Sequence, residues 1–279
     1  MISVRPPSPH PFLAASTDFD PSTADAIVVG LAADGGVSFR SGAVEGPAGI
    51  RTFSESIETW SPRARRDLSD LRIHDAGDHD DRKTVGDALG SVLDAAWSAD
   101  RRALLVSIGG DHSVTPPAVA AVASRVDGLA VVGFDAHLDL REDYPGDHAC
   151  TYRRISDGGV PCYVFGLRSG ARHEWDDAPK VLAHHSADLD LSIAREELAG
   201  RPVYVTIDID VIDPPEAPGT GNPEPGGVRF NELLEAVESL KELDVVAVDV
   251  VEVSPLLDPS GITQVAAAVL VRETILRFS

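Results

Sequence analysis

The chain has 279 residues, 43% of them apolar and 25% charged, which is enough for one large domain with a sizeable core. No stretch approaches the ~18 consecutive apolar residues that a membrane span needs. The proline-rich start, Met1 to Phe12, lacks the basic beginning and apolar run of a secretory signal, so a cytoplasmic location is expected. With 24 Lys+Arg against 45 Asp+Glu, the formal net charge is −21, which excludes nucleic acid and anionic membranes as natural partners and suits a cationic ligand.

Lysine occurs only at Lys83, Lys180 and Lys241, and arginine supplies the remaining basic residues. The acidic runs Asp78–Asp81 and Glu174–Asp177 read as solvated surface. Two cysteines, Cys150 and Cys162, are too few for a disulfide framework or a thiolate metal site and read as ordinary buried thiols.

Short apolar runs rich in β-branched residues recur along the chain: Ala26–Leu31, Ala103–Ile108, Leu129–Phe134, Cys162–Leu167, Val203–Ile207 and Val245–Val251. Each reads as a buried parallel strand. Between them, Val85–Ala99, Pro117–Arg125 and Asn231–Leu243 carry apolar residues at helical spacing, with Asn231 placed to N-cap the last. Strands alternating with helices predict an α/β protein built on a doubly wound parallel sheet, whose ligands gather beyond the carboxyl ends of the strands. No repeat, low-complexity linker or step in composition divides the chain, so residues 1–279 are expected to form a single domain.

Polar clusters follow three of these strands. After the second run comes Gly109-Gly110-Asp111-His112-Ser113, where two glycines permit a tight turn. The third run ends in Asp135-Ala136-His137-Leu138-Asp139. In extended chain, alternate residues share a side, so Asp135, His137 and Asp139 should converge. The fifth run leads into Asp208-Ile209-Asp210, again with two carboxylates on one side. Carboxylates so close to apolar strands are costly without a counter-ion. Asp213, before Pro214, reads as a turn residue outside this set. His112, Asp135, His137, Asp139, Asp208 and Asp210 exceed the needs of one ion. Because carboxylates bridge, two divalent cations about 3.5–4 Å apart are expected. Oxygen-rich ligation without thiolates favours Mn²⁺ over Zn²⁺.

These motifs resemble those of the ureohydrolase (arginase/agmatinase) family in order and spacing, from about Val37 to near the C-terminus, with Glu252-Val253-Ser254-Pro255 matching a fourth signature. The resemblance implies an arginase-like three-layer α/β/α fold with two Mn²⁺ per subunit. By resemblance, one ion takes His112, Asp135, Asp139 and Asp208, and the other Asp135, His137, Asp208 and Asp210. It further implies attack of metal-activated water on a guanidinium carbon, releasing urea and an amine. Asp139 would relay a proton to the leaving nitrogen, Glu252 would hold the guanidinium, and His148 would stand where the family has a proton-shuttling histidine.

The Ala217–Gly227 loop resembles that of agmatinases, with Asn222 where threonine is usual, and Leu140–Arg154 resembles archaeal-type agmatinases. Agmatine is therefore the expected substrate. Aminopropylagmatine, arginine and guanidinobutyrate are the alternatives, followed by a non-catalytic metal-binding homologue. Metal-dependent deacetylases share the fold but keep essentially one zinc, and would not need His112 and Asp210. The resemblance also implies a homotrimer or homohexamer.

Overall fold

The six apolar runs all become strands, within a residue or two of the expected ends. The computed structural model describes residues 10–35, 38–142 and 148–279; Val37, where the resemblance begins, lies outside them, as does part of Leu140–Arg154. In chain order the strands are β1 (Ala26–Leu31), β2 (Trp60–Ser61), β3 (Arg66–Asp67), β4 (Ile73–His79), β5 (Leu104–Gly109), β6 (Ala130–Phe134), β7 (Cys162–Phe165), β8 (His184–Ser186), β9 (Pro202–Asp208) and β10 (Asp244–Val251). The α-helices are α1 (Gly46–Ser54), α2 (Val85–Ala96), α3 (Thr115–Ala123), α4 (Thr151–Asp157), α5 (Arg172–Val181), α6 (Ser192–Glu197), α7 (Phe230–Ser239) and α8 (Ile262–Phe278).

Eight strands form one sheet in the order β4-β1-β5-β10-β9-β6-β7-β8, and every pairing in it is parallel. Because side chains alternate across a strand, both faces must be apolar. Val106, Val132, Val205 and Val248 enter one core with helices α1, α6, α7 and α8. Leu105, Val131, Tyr204 and Ala247 enter the other with α2, α3, α4 and α5. The expected three-layer α/β/α arrangement is therefore present, with β5, β10, β9 and β6 adjacent at its centre. Among the described residues no helix is long and apolar enough to cross a membrane.

Several local expectations need correction. Asn231 lies inside α7, which begins at Phe230, and the cap is made by Glu232, whose carboxylate accepts from the Arg229 backbone N–H at 2.8 Å. Neither acidic run is simply solvated. Glu174 is buried and caps α5 by accepting from the Ala171 N–H at 2.7 Å, and Asp78 pairs with the buried guanidinium of Arg51. Cys150 and Cys162 are buried and form no disulfide, as expected, and burial pushes the Cys162 thiol up to about 12.

Arg51 is 1% exposed and meets both oxygens of Asp75 at 2.9 Å. Although burial alone would raise the Asp75 carboxyl, the Arg51 pair holds it below the ordinary range. Arg51→Met strands a buried carboxylate and should cost about 3–5 kcal/mol near neutrality. A depressed folded value contributes stability that is whole above the unfolded carboxylate value of about 3.9 and fades as pH falls through the folded one. The Arg51→Met penalty, read from urea unfolding, should thus shrink between roughly pH 5 and pH 2; a penalty unchanged in acid would contradict this.

Candidate metal centre

The four central strands deliver their polar ends to one place. His112 follows β5 in a short 3-10 turn (His112–Val114) that Asp111 caps by accepting from the Ser113 N–H at 3.1 Å. Gly110 is obligatory in that turn, because a Cβ there would stand 1.8 Å from the Ala33 carbonyl oxygen. Asp208 ends β9 and Asp210 sits in the 3-10 turn that follows, its N–H bonded to Asp208 Oδ1 at 2.9 Å.

Asp135, His137 and Asp139 converge as expected, but not as an extended strand. β6 stops at Phe134, the His137 N–H turns back to Asp135 Oδ1 at 2.7 Å, and Asp139 has φ 48°. Glu252, just past β10, also has positive φ, 64°. Non-glycine residues rarely adopt this region, and strain of this kind gathers at functional sites.

Two donor groups result, His112 with Asp135 and Asp139, and Asp135 with His137 and Asp210, the atoms of each lying within 4.8 Å of one another. They share Asp135. His112 Nδ1 lies 3.2, 3.3 and 3.5 Å from carboxylate oxygens of Asp135, Asp139 and Asp208, while His137 Nδ1 lies 2.9 Å from Asp210 Oδ2. His112 Nδ1 and Asp135 Oδ2 are buried without a hydrogen-bond partner. Buried polar atoms are rarely left so, and several donors aimed at a common space are what a cation requires. The donor set fits a binuclear divalent metal site.

The electrostatics carry the same demand for positive charge. Burial opposes protonation of His112, yet Asp135 and Asp139 hold its imidazole well above the ordinary value. Against the same desolvation, Asp210, Asp135 and Asp139 raise His137 to about 10. Burial lifts Asp208 well above the usual carboxylate range, with Asp210, Asp135 and Glu252 adding to it. Protons thus stand in for cations in this arrangement, and a divalent ion would displace them.

A cleft of about 140 Å³ opens over the cluster. On its wall, Glu252 Oε1 accepts from the His112 N–H and lies 2.8 Å from His148 Nδ1. His148 Nε2 accepts from the Ser38 N–H at 3.2 Å, so the neutral ring carries its proton on Nδ1, toward Glu252. The Ser38 hydroxyl, 2.9 Å from Nε2, also takes a hydrogen bond from the Asn222 amide.

His112, Asp135, His137, Asp139, Asp208 and Asp210 come together, with Glu252 and His148 beside them, while Asp213 stays apart, accepting from the Gly226 and Gly227 N–H groups to close a turn. Ser38, Arg141, Ser169 and Glu174 also line the cleft and were missed in the sequence. Only Glu174 left a trace there, as a carboxylate three residues into a helix start.

A sequence profile described as the arginase family matches residues 24–276, and the chain belongs to that family. An agmatinase of Bacillus subtilis strain 168 is 38% identical over 281 residues, 96% of each chain. An N(1)-aminopropylagmatine ureohydrolase of Thermococcus kodakarensis is 39% identical over 260 residues, 88% of each. Among solved structures, the agmatine ureohydrolase of Thermoplasma volcanium superposes with TM-score 0.84 at 30% identity, covering 96% of this chain and 94% of that one. Proclavaminate amidino hydrolase from Streptomyces clavuligerus superposes with TM-score 0.83 at 32% identity, covering 98% and 97%.

Proposed function

We propose that this protein is a manganese ureohydrolase that cleaves agmatine to putrescine and urea. The observation that carries this is the pair of donor groups sharing Asp135, with the Glu252 carboxylate beside them, in a chain of the arginase family. Relatives named agmatinase at 38% identity over nearly the whole chain support hydrolysis of an amidino C–N bond and favour agmatine. An oxygen-rich donor set without thiolates favours Mn²⁺. One ion would be held by His112, Asp135, Asp139 and Asp208, the other by Asp135, His137, Asp208 and Asp210. Such ions, when bound, supply Lewis acidity and lower the pKa of water toward neutrality.

The chain's own groups do the rest. Glu252 would orient the planar guanidinium by a charge-assisted contact. Asp139, held in a left-handed turn at the cleft wall, would carry a proton to the departing nitrogen. His148, between Glu252 and the Ser38 hydroxyl, would exchange protons at the cleft. The net charge of −21 supports a cationic substrate rather than nucleic acid or membrane. The one sheet that bears every site strand supports a single catalytic domain over residues 1–279. A cytoplasmic homotrimer or homohexamer completes the proposal.

Urea release should be compared for agmatine, aminopropylagmatine, arginine and guanidinobutyrate. Agmatine should lead by at least about tenfold in kcat/KM. A lead for aminopropylagmatine, favoured by the Thermococcus relative, would keep the reaction and lengthen the substrate; equal use of arginine would contradict the substrate choice.

A further inference from the structure

One carboxylate at the centre of the sheet has no part in the chemistry above. Asp249, on β10, has no exposed surface, and an anion there is costly unless its neighbours answer it. Strand register sets Ser107, Asp249, Thr206 and Gly133 side by side on β5, β10, β9 and β6. Register partners in a parallel sheet share a face, so these four form one row, two residues before Asp208 on β9 and two before Asp135 after β6. Glycine is needed in the row because a Cβ on Gly133 would stand 2.4 Å from the Tyr152 hydroxyl oxygen. The Tyr152 ring in turn meets the His112 imidazole edge-on, with centroids 5.5 Å apart.

Asp249 Oδ2 accepts from the hydroxyls of Thr115 and Tyr204, both at 2.8 Å, which leaves Oδ1 as the oxygen open to a further donor from its neighbour in the row, Thr206. Thr206, opposite Asp249, places its Oγ1 3.0 Å from His112 Nε2. Burial pushes the Asp249 carboxyl up, and the hydroxyls of Thr206, Tyr204 and Thr115 pull against it. Asp249, Thr206 and His112 thus form a line running from the middle of the sheet to the metal centre.

We propose that Asp249 is a positioning residue for the metal centre: through the Thr206 hydroxyl it holds His112 in the tautomer protonated on Nε2, leaving the Nδ1 lone pair to face Asp135, Asp139 and Asp208. A hydroxyl has one proton to give. When Thr206 gives it to Asp249, only lone pairs face Nε2, so Nε2 must be the donor. Nδ1, 3.2–3.5 Å from three carboxylates and without a hydrogen-bond partner, is then free to bind a cation. Without Asp249, Thr206 is free to turn its proton to Nε2, which puts the ring proton on Nδ1, where the cation belongs. Partners of this kind behind metal-bound histidines typically change metal affinity 10- to 100-fold, roughly.

The proposal rests on His112 being a metal ligand, and the test separates the two claims. Mn²⁺ is titrated calorimetrically into the metal-free full chain and into Thr206→Val, Thr206→Ser and Asp249→Asn, with circular dichroism confirming the fold of each. Thr206→Val should weaken binding by roughly 10- to 100-fold, and Thr206→Ser, which keeps the hydroxyl, should bind as the unaltered chain does. In the zinc-loaded chain, ¹⁵N shifts should place the His112 proton on Nε2, and Asp249→Asn should disturb that assignment if it folds. A Thr206→Val chain that binds Mn²⁺ as tightly as the unaltered one overturns the positioning role alone. An unaltered chain that binds no metal overturns the metal-centre reading and this proposal with it.

Discussion

Asp208→Ala should leave the chain with at most one retained cation and reduce urea release by roughly a thousandfold or more, the several kcal/mol of transition-state stabilisation that metal ions supply. Asp208 Oδ2 lies 3.5 Å from His112 Nδ1 in the first donor group, and its Oδ1 accepts from the N–H of Asp210 in the second. It therefore touches residues of both donor groups. Because Asp208 also holds its turn through that N–H bond, Asp208→Asn is the necessary companion: it keeps an oxygen for the turn and removes the charge. Metal content measured by plasma mass spectrometry after gel filtration should fall in both variants. Two ions retained by either would contradict the bridging role.

Glu252→Gln is the second large effect, and it should separate substrate handling from metal binding. Glutamine keeps a carbonyl oxygen for the His112 N–H, the contact that Glu252 Oε1 makes at 2.8 Å, but loses the negative charge that would hold a guanidinium. Truncating one partner of a buried charge pair costs about 2–5 kcal/mol, so kcat/KM for agmatine should fall by roughly 30- to 5,000-fold with both ions retained. Loss of metal in this variant would mean that Glu252 acts by holding His112 in place rather than by holding substrate.

Asp208 sits at a position the sequence exposes for a physical reason, whereas Glu252 stood out only through the family resemblance. A carboxylate immediately after an apolar parallel strand is rare and costly, so Asp135 and Asp208 stand out against Val131–Phe134 and Val203–Ile207. The six central strands were legible by the same contrast, since buried parallel strands are continuous apolar runs. The edge strands β4 and β8 were not. Ile73–His79 and His184–Ser186 are only partly buried and carry histidine, aspartate and serine, so neither an apolar run nor a clean alternation marks them. Site geometry was legible only in outline. Alternation along a strand brings Asp135, His137 and Asp139 together on paper, whereas the chain achieves it with a turn and a left-handed Asp139, which spacing does not reveal.

Charges whose partners are distant in sequence were the hardest to read. Glu174 and Asp78 sit in acidic runs, and only the packing of α5 and the buried Arg51 set them apart from solvated surface. Asp249 carries the same signal as Asp208, a carboxylate amid apolar residues, but it lies inside its strand and its partners come from β9 and α3. Its place in the row beside Thr206 follows from strand order, which the sequence does not display.

The central claim is that the shared donor cluster holds two cations and that the protein so loaded hydrolyses a guanidinium compound. The most direct measurement determines Mn²⁺ content and urea release from agmatine on one preparation. Two ions per chain, with urea and putrescine formed in equal amounts and both products lost on chelation, is the expected result. Two ions per chain with no urea from agmatine or from any other guanidino compound would contradict the account.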